Sequence, residues 1–162
     1  MLKRNSETIE SRQMEFTAAE NPLQSAVLAE EYEKLEAILQ LHPSQRWRII
    51  LCLKLKLRFP VHSDDVRRCF PNCSPDDITP LSRDFRASKD RVMYKAIVPI
   101  FNRYEKNRVQ ADTLRKWVEG KITLLITHLN KMHQASVYNS KNIPDLLSLF
   151  FQERYGHDQK KN

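Results

Sequence analysis

The chain has 162 residues, a size typical of one domain, and a formal net charge of +7. It contains only two glycines, which excludes a glycine-rich phosphate-binding loop and disfavours the tight turns of β-hairpins. Three cysteines and the lack of an evident secretory leader indicate a reducing compartment, so we expect a cytoplasmic protein. The longest apolar run, residues 49–53, is too short to span a membrane.

The first predicted elements are a flexible segment and a long helix. Residues 1–20 are polar and weakly periodic, which is typical of a flexible N-terminal segment. Asn21 and Pro22 combine an N-cap residue with a proline at the first helical position. A single helical domain is therefore predicted over residues 21–157, followed by a tail at 158–162.

The most apolar part of the chain, residues 46–59, supports two interpretations. Its apolar and polar residues alternate, a period of two that is typical of a half-buried strand. On a helix the same residues form two apolar strips, as expected of a central helix that is covered from two sides. Leu, Lys and Arg are helix formers, Pro60 ends the run, and no partner strand is evident, so a helix is favoured. The amino groups of Lys54 and Lys56 are then expected between the strips, in water.

The next part of the chain is predicted to form short helical turns at 60–80 and a long helix at 81–104. Acidic pairs at Asp64–Asp65 and Asp76–Asp77 each open a short turn. A carboxylate is favourable at the positive end of a helix dipole, and this role is preferred to a metal site. Pro99 is expected to kink or stop the long helix.

Two further helices complete the predicted fold. Asp112 or a neighbour caps a strongly amphipathic helix that runs to about Met132. The last helix starts near Asn142 and ends at Gly156, which is placed as its C-cap. The fold class is therefore predicted as an irregular all-α bundle of about six or seven helices around the central apolar helix at 46–59.

Neither a catalytic nor a metal-binding pattern is evident in the sequence. Cys69 and Cys73, with His62 nearby, lack a second pair of zinc ligands and are interpreted as two small buried thiols beside a proline turn. His128 and His133 are five residues apart and do not share a helix face as paired ligands would. We therefore predict no metal, no cofactor and no catalytic residues.

Residues 83–121 form a basic region with 11 lysines and arginines against five acidic residues. Within it, residues 113–117 read Thr-Leu-Arg-Lys-Trp. The stretch from 108 to 118 resembles the second helix of transposase-type helix-turn-helix domains, and the resemblance implies a helix-turn-helix-like segment at 92–118. Basic patches of this kind contact phosphates. The nucleic-acid-binding residues predicted on these grounds are Arg108, Arg115, Lys116 and Lys121.

The last helix suggests a different function, because it carries more large apolar residues than its inner face is expected to hold. These residues are Leu149, Phe150, Phe151 and Tyr155. An exposed apolar surplus marks an interface. We therefore predict a non-enzymatic adaptor or regulator that binds another protein through these four residues. The alternative is a nucleic-acid-binding protein that uses the basic region 83–121. Within that region, Leu114 and Trp117 are interpreted as core residues.

Overall fold

The computed structural model describes residues 22–156, with side chains from Ala26 onward. In this part of the chain there are seven α-helices and no strand, and helix accounts for 73% of the residues, which confirms the all-α prediction. The predicted flexible segment 1–20 and the tail 158–162 lie outside the described residues. The elements in chain order are α1 (Pro22–Gln40), a 3-10 turn (Pro43–Gln45), α2 (Arg46–Lys56), α3 (Ser63–Cys69), α4 (Pro75–Ser82), α5 (Asp90–Tyr104), α6 (Ala111–His133) and α7 (Ile143–Tyr155).

The chain divides into two compact units. One unit combines the part up to residue 43 with the part from residue 123 onward, and the other consists of residues 44–122. The single domain predicted over 21–157 stays a prediction. None of the helices in the described part combines the length and the apolarity that crossing a bilayer requires.

Helix α2 is the most buried helix of the 44–122 unit. All seven residues from Ile49 to Leu55 are buried, and Leu51 exposes none of its surface. The strand alternative for this stretch is therefore wrong, and the predicted central helix is confirmed. The period of two arose because a helix that is buried on every side leaves no continuous polar face to reveal its period of 3.6.

The expectation that Lys54 extends into water is wrong. Lys54 is 2% exposed, and its ammonium group donates to both carboxylate oxygens of Asp65 at 2.9 and 3.0 Å. Burial lowers the pKa of Lys54, and the facing Asp65 carboxylate offsets part of this effect. Lys56 is only partly exposed, and its ammonium group pairs with Asp90.

The acidic pairs open short helices, as predicted. Asp65 accepts the main-chain N–H of His62 at 2.9 Å and belongs to a capping box at the start of α3. Asp76 and Asp77 lie in the first turn of α4. Pro99 lies inside α5 and does not stop the helix, which continues for five more residues to Tyr104.

The helix predicted at 81–104 is too long. Only residues 90–104 form it, as α5, whereas residues 81–82 end α4 and residues 83–89 are irregular. The side chain of Arg58 contacts the main chain at this break. Its guanidinium group donates to the main-chain oxygens of Phe85 at 3.0 Å and Ser88 at 2.9 Å, and the Phe85 oxygen also accepts the N–H of Ser88 at 2.8 Å in a turn. The ring of Phe85 is buried at the same place, which holds the connection against the unit.

The other unit contains α1, the second half of α6, and α7. Leu35 of α1, Leu129 of α6 and Leu146 of α7 are each buried to 1% exposure or less. The connection between α6 and α7 is fixed by Asn130, whose side chain accepts the N–H of Tyr138 at 2.8 Å and donates to its carbonyl at 3.0 Å. The unit therefore has an apolar core of its own, with a polar side chain closing its longest loop.

Candidate functional site

Six exposed cations lie on α5 and on its two flanks in the 44–122 unit. One of them, Arg103, pairs with Asp77, which leaves five others. Arg91 and Lys95 are one turn apart on the side of α5 opposite its buried residues, Lys89 precedes the helix, and Lys106 and Arg108 follow it. None of the five forms an ion pair with another described residue. We call these five residues the α5 cationic strip.

Asp90 lies between two residues of the strip, but its carboxylate pairs with cations from the end of α2. One oxygen accepts a hydrogen bond from Arg58 at 2.9 Å, and the other pairs with Lys56. Burial would raise the pKa of Asp90, but the hydrogen bonds from Lys56 and Arg58 outweigh burial and hold this pKa below its usual value. The carboxylate therefore stays ionised beside α2 and does not oppose the strip.

Glu105 is the other acidic residue between 89 and 108, and it also pairs with α2. Its two oxygens accept hydrogen bonds from Arg48 at 2.5 and 2.9 Å, and both side chains are less than 20% exposed. The guanidinium group of Arg48 lies 4.3 Å from the centre of the Trp117 ring and 5.7 Å from that of Phe101. Arg48, Glu105 and the two rings form one packed cluster.

The first turns of α6, predicted to form a recognition helix, hold cations that are already paired. Arg115 donates to Asp112 at 2.7 Å and to Glu119 at 3.0 Å. Lys116 lies 3.2 Å from the same Asp112 carboxylate. These short-range pairs are exposed and weak, but they place an acidic group beside two of the four residues predicted to bind nucleic acid.

The other two residues predicted to bind nucleic acid, Arg108 and Lys121, also differ in their surroundings. Arg108 is exposed and belongs to the α5 cationic strip, whereas the ammonium group of Lys121 lies 5.1 Å from the centre of the Trp117 ring. Leu114 is fully buried, so this residue belongs to the core. Residues 105–110 connect α5 to α6, and the side chain of Asn102 accepts the N–H of Val109 at 2.8 Å and donates to its carbonyl at 3.0 Å.

The aromatic residues of α7 are not an exposed surplus, and that expectation is wrong. Phe150, Phe151 and Tyr155 are 1%, 4% and 3% exposed, and Leu149 is half-buried. The ring of Phe150 packs against Tyr32 of α1 with 5.7 Å between centroids. The protein-binding prediction for these four residues therefore loses the exposure on which it was based.

A buried polar cluster that sequence reasoning missed lies around Glu31 of α1. Glu31 is 1% exposed. Its carboxylate accepts hydrogen bonds from Lys34 at 2.8 Å, from His133 at 2.8 Å and from the Tyr138 hydroxyl at 2.5 Å. The partners come from positions up to 107 residues away in sequence, so no local pattern could have revealed the cluster.

The thiols have no arrangement that favours metal binding. All three cysteines are free, and Cys52 is buried, but Cys69 and Cys73 are only half-buried, so the expectation that both are buried is wrong. Burial raises the pKa of Cys69 to about 12 and that of Cys52 further, so both stay protonated at neutral pH. In the described residues no three His, Cys, Asp or Glu side chains come together as a group that could hold a metal ion.

A groove of about 350 Å³ lies in the 44–122 unit between residues 55–61 and residues 82–86. Its apolar lining consists of Leu55 and Phe85, which are buried, and of Phe59 and Val61, which are half-buried. Arg58 joins the two walls, since its guanidinium group donates to the main-chain oxygens of Leu55 and of Phe85, both at 3.0 Å. The groove is therefore braced from within.

The outer edge of this groove carries further charged residues. Arg83 lies over the ring of Phe85, 4.5 Å from its centre. Arg86 and Asp84 pair with each other at 2.7 Å, and their side chains are 77% and 57% exposed. The groove therefore combines an apolar floor with a mainly basic edge.

No family model, no curated protein and no solved structure matches this chain.

Proposed function

We propose that this is a binding protein whose 44–122 unit holds the phosphate backbone of a nucleic acid with the α5 cationic strip. The observation that supports this proposal most directly is which cations two nearby carboxylates pair with. Asp90 and Glu105, the only acidic residues between 89 and 108, pair with cations that lie in α2 or two residues after it. Five cations on and around α5 are left without a counter-charge, as phosphate contacts require.

The overall charge of this unit supports the same ligand. Residues 44–122 contain 18 lysines and arginines against nine acidic residues, a net charge of +9. A basic unit with several unopposed cations attracts a polyanion over distances near the Debye length, about 8–10 Å at physiological salt. The contacts we propose are with phosphates, so binding should depend little on base sequence.

The test is the salt dependence of binding to a fluorescein-labelled DNA duplex of arbitrary sequence. The wild type should bind with an affinity that falls steeply as salt rises. In the double variant Arg91→Ala/Lys95→Ala, the logarithmic salt slope should fall by about two, roughly one for each lost phosphate contact. The matched control is Lys131→Ala/Lys141→Ala, which removes two exposed lysines from the other unit and should bind like the wild type.

Two results would contradict the proposal. One is wild-type binding that does not change with salt. The other is an equal loss of affinity in both double variants, because net charge alone would then account for binding. The variant Arg115→Ala/Lys116→Ala distinguishes the α5 cationic strip from a recognition helix at the start of α6. These two cations are already paired with acidic residues on α6, so on our proposal this variant should bind DNA more like the wild type than Arg91→Ala/Lys95→Ala does.

Binding of another protein, as an adaptor or regulator, is the second function we propose, and the braced groove of the 44–122 unit favours it. Its half-buried apolar residues are available to a partner side chain. We further propose that the protein works in a reducing compartment such as the cytoplasm, in keeping with its three free cysteines.

A further inference from the structure

We propose that the groove between residues 55–61 and 82–86 docks an extended, acidic segment of a partner protein, which inserts one apolar side chain. The inference rests on the second proposed function. It uses no residue of the α5 cationic strip, so the two sites can be tested independently.

The first step in the argument is the size and lining of the groove. A volume of about 350 Å³ lies at the lower end of the range of ligand pockets, which suits one large apolar side chain and its immediate neighbours. Phe59 and Val61 are half-buried, so each keeps apolar surface that a partner can cover. Leu55 and Phe85 form a buried floor beneath them.

The second step concerns the main chain of one wall. Residues 59–62 have no helical or turn structure. The carbonyl of Pro60 and both main-chain groups of Val61 make no hydrogen bond with another described residue. An extended peptide satisfies such groups by pairing alongside, as in strand addition to an open edge. These free main-chain groups favour a polypeptide as the occupant over a small apolar molecule.

The third step is the charge around the groove. Three arginines and one aspartate line it, and Arg58 is already engaged in holding the two walls together. The cations left at the edge are Arg83, which lies over the Phe85 ring, and the exposed Arg86, which pairs with Asp84. Carboxylates that flank an inserted apolar side chain match this mainly basic edge.

The test uses three synthetic hexapeptides and the full chain. The first is acetyl-Glu-Asp-Leu-Phe-Asp-Glu-amide, the second has Lys at each acidic position, and the third has Ser at both apolar positions. The acidic apolar peptide should bind, and the other two should bind at least about tenfold more weakly. Amide signals followed by NMR should shift at Val61 and Phe85 and stay unchanged at Arg91 and Lys95.

Variants then locate the site. Val61→Glu and Arg83→Glu should each weaken binding of the first peptide by about tenfold or more. The first places a charge on the apolar surface that the inserted side chain covers, and the second places a carboxylate where the peptide carries one. Lys95→Glu makes the same charge change as Arg83→Glu outside the groove and should keep peptide binding while losing affinity for DNA. Arg83→Ala is a milder second variant, and cooperative melting near the wild-type temperature establishes that each variant is folded.

Three results would overturn the proposal. In the first, the acidic apolar peptide does not bind the wild type. In the second, the serine peptide binds equally well, because attraction to a basic surface alone would then explain binding. In the third, the shifted signals lie on α5 and not in the groove. The DNA measurements with Arg91→Ala/Lys95→Ala are independent of all three results, so failure at one site leaves the other testable.

Discussion

The ammonium nitrogen of Lys54 lies 2.9 and 3.0 Å from the two carboxylate oxygens of Asp65, and neither side chain exposes more than 3% of its surface. The pair connects α2 to the first turn of α3. Taking both charges out of water is costly, and the cost is offset only while the two groups face each other. Removing one partner leaves the other charge buried and uncompensated.

We therefore expect Lys54→Ala to lower the free energy of unfolding by about 3–5 kcal/mol, the range found when one partner of a buried ion pair is removed. Lys95→Ala, which removes an exposed and unpaired lysine of the same unit, should change the free energy by no more than about 0.5 kcal/mol. Urea titration followed by far-UV circular dichroism measures both. Equal midpoints for the two variants would mean that the Lys54–Asp65 pair contributes nothing to stability.

Two buried tyrosines should respond in opposite ways to loss of the hydroxyl. The Tyr94 hydroxyl is buried without a hydrogen-bond partner among the described residues, whereas the Tyr138 hydroxyl donates to Glu31 at 2.5 Å. An unsatisfied buried polar group costs about 1–3 kcal/mol, so Tyr94→Phe should leave the melting temperature unchanged or raise it. Tyr138→Phe should lower it, because Glu31 loses a donor. A stabilising Tyr138→Phe would contradict this account.

Acid should destabilise the fold partly through Glu31. Burial acts to raise the pKa of Glu31, but hydrogen bonds from Lys34, Tyr138 and His133 outweigh it and hold the pKa below its ordinary value of 4.5. As pH falls, the unfolded chain therefore takes up this proton first. The stabilisation is present above the ordinary pKa and is lost as pH falls through the lower, folded-state pKa.

The measurement is the urea midpoint at several pH values between about 6 and 3. The wild-type midpoint should fall with pH, and part of this slope should disappear in Glu31→Gln. Asp90 contributes in the same direction, since its pKa is also lowered, so the difference between the wild type and Glu31→Gln isolates the share of Glu31. Identical slopes would show that Glu31 does not contribute.

The two glycines give a further matched pair. A Cβ atom at Gly120 meets nothing within 4 Å, whereas one at Gly156 comes within 2.7 Å of the main-chain oxygen of Gln152. Gly120→Ala in α6 should raise the free energy of unfolding by about 1 kcal/mol, since alanine favours the helix. Gly156→Ala should lower it, because the chain must shift to relieve the contact. Thermal melting of both variants tests this prediction. A lower melting temperature for Gly120→Ala than for Gly156→Ala would contradict it.

Helices α1, α6 and α7 were predictable because cap residues or prolines mark their starts and because their apolar residues repeat with the helical period, whereas α2 was predicted from its residue types and from Pro60. The burial of Lys54 was not, since its partner Asp65 lies 11 residues away on another helix. The burial of the aromatic residues of α7 was not predictable for a similar reason. Phe150 is covered in part by Tyr32, from the opposite end of the chain, and one helix read alone does not reveal how much surface its neighbours will cover.

The basic region 83–121 was visible in the composition, but its division into paired and unpaired cations was not. Asp90 and Lys95 are close in sequence, yet the first pairs with Lys56 of α2 and the second stays exposed and without an ion pair among the described residues. The groove was also hidden, because its walls come from segments more than 20 residues apart. In each case the decisive information is the direction of a side chain, which composition does not contain.

The separation of inner and outer cations gives this protein an uneven sensitivity to trypsin, which cleaves after lysine and arginine. Lys106 and Arg108 are exposed in an irregular connection that can enter the protease cleft, whereas Lys54 lies within a buried helix. Arg86 and Lys89 are likewise exposed in the irregular residues 83–89, so within the 44–122 unit the first cuts under native conditions should fall in the two connections that flank α5. A polyanion seated on the α5 cationic strip would cover these peptide bonds, so the rate of nicking there would serve as a footprint of the ligand.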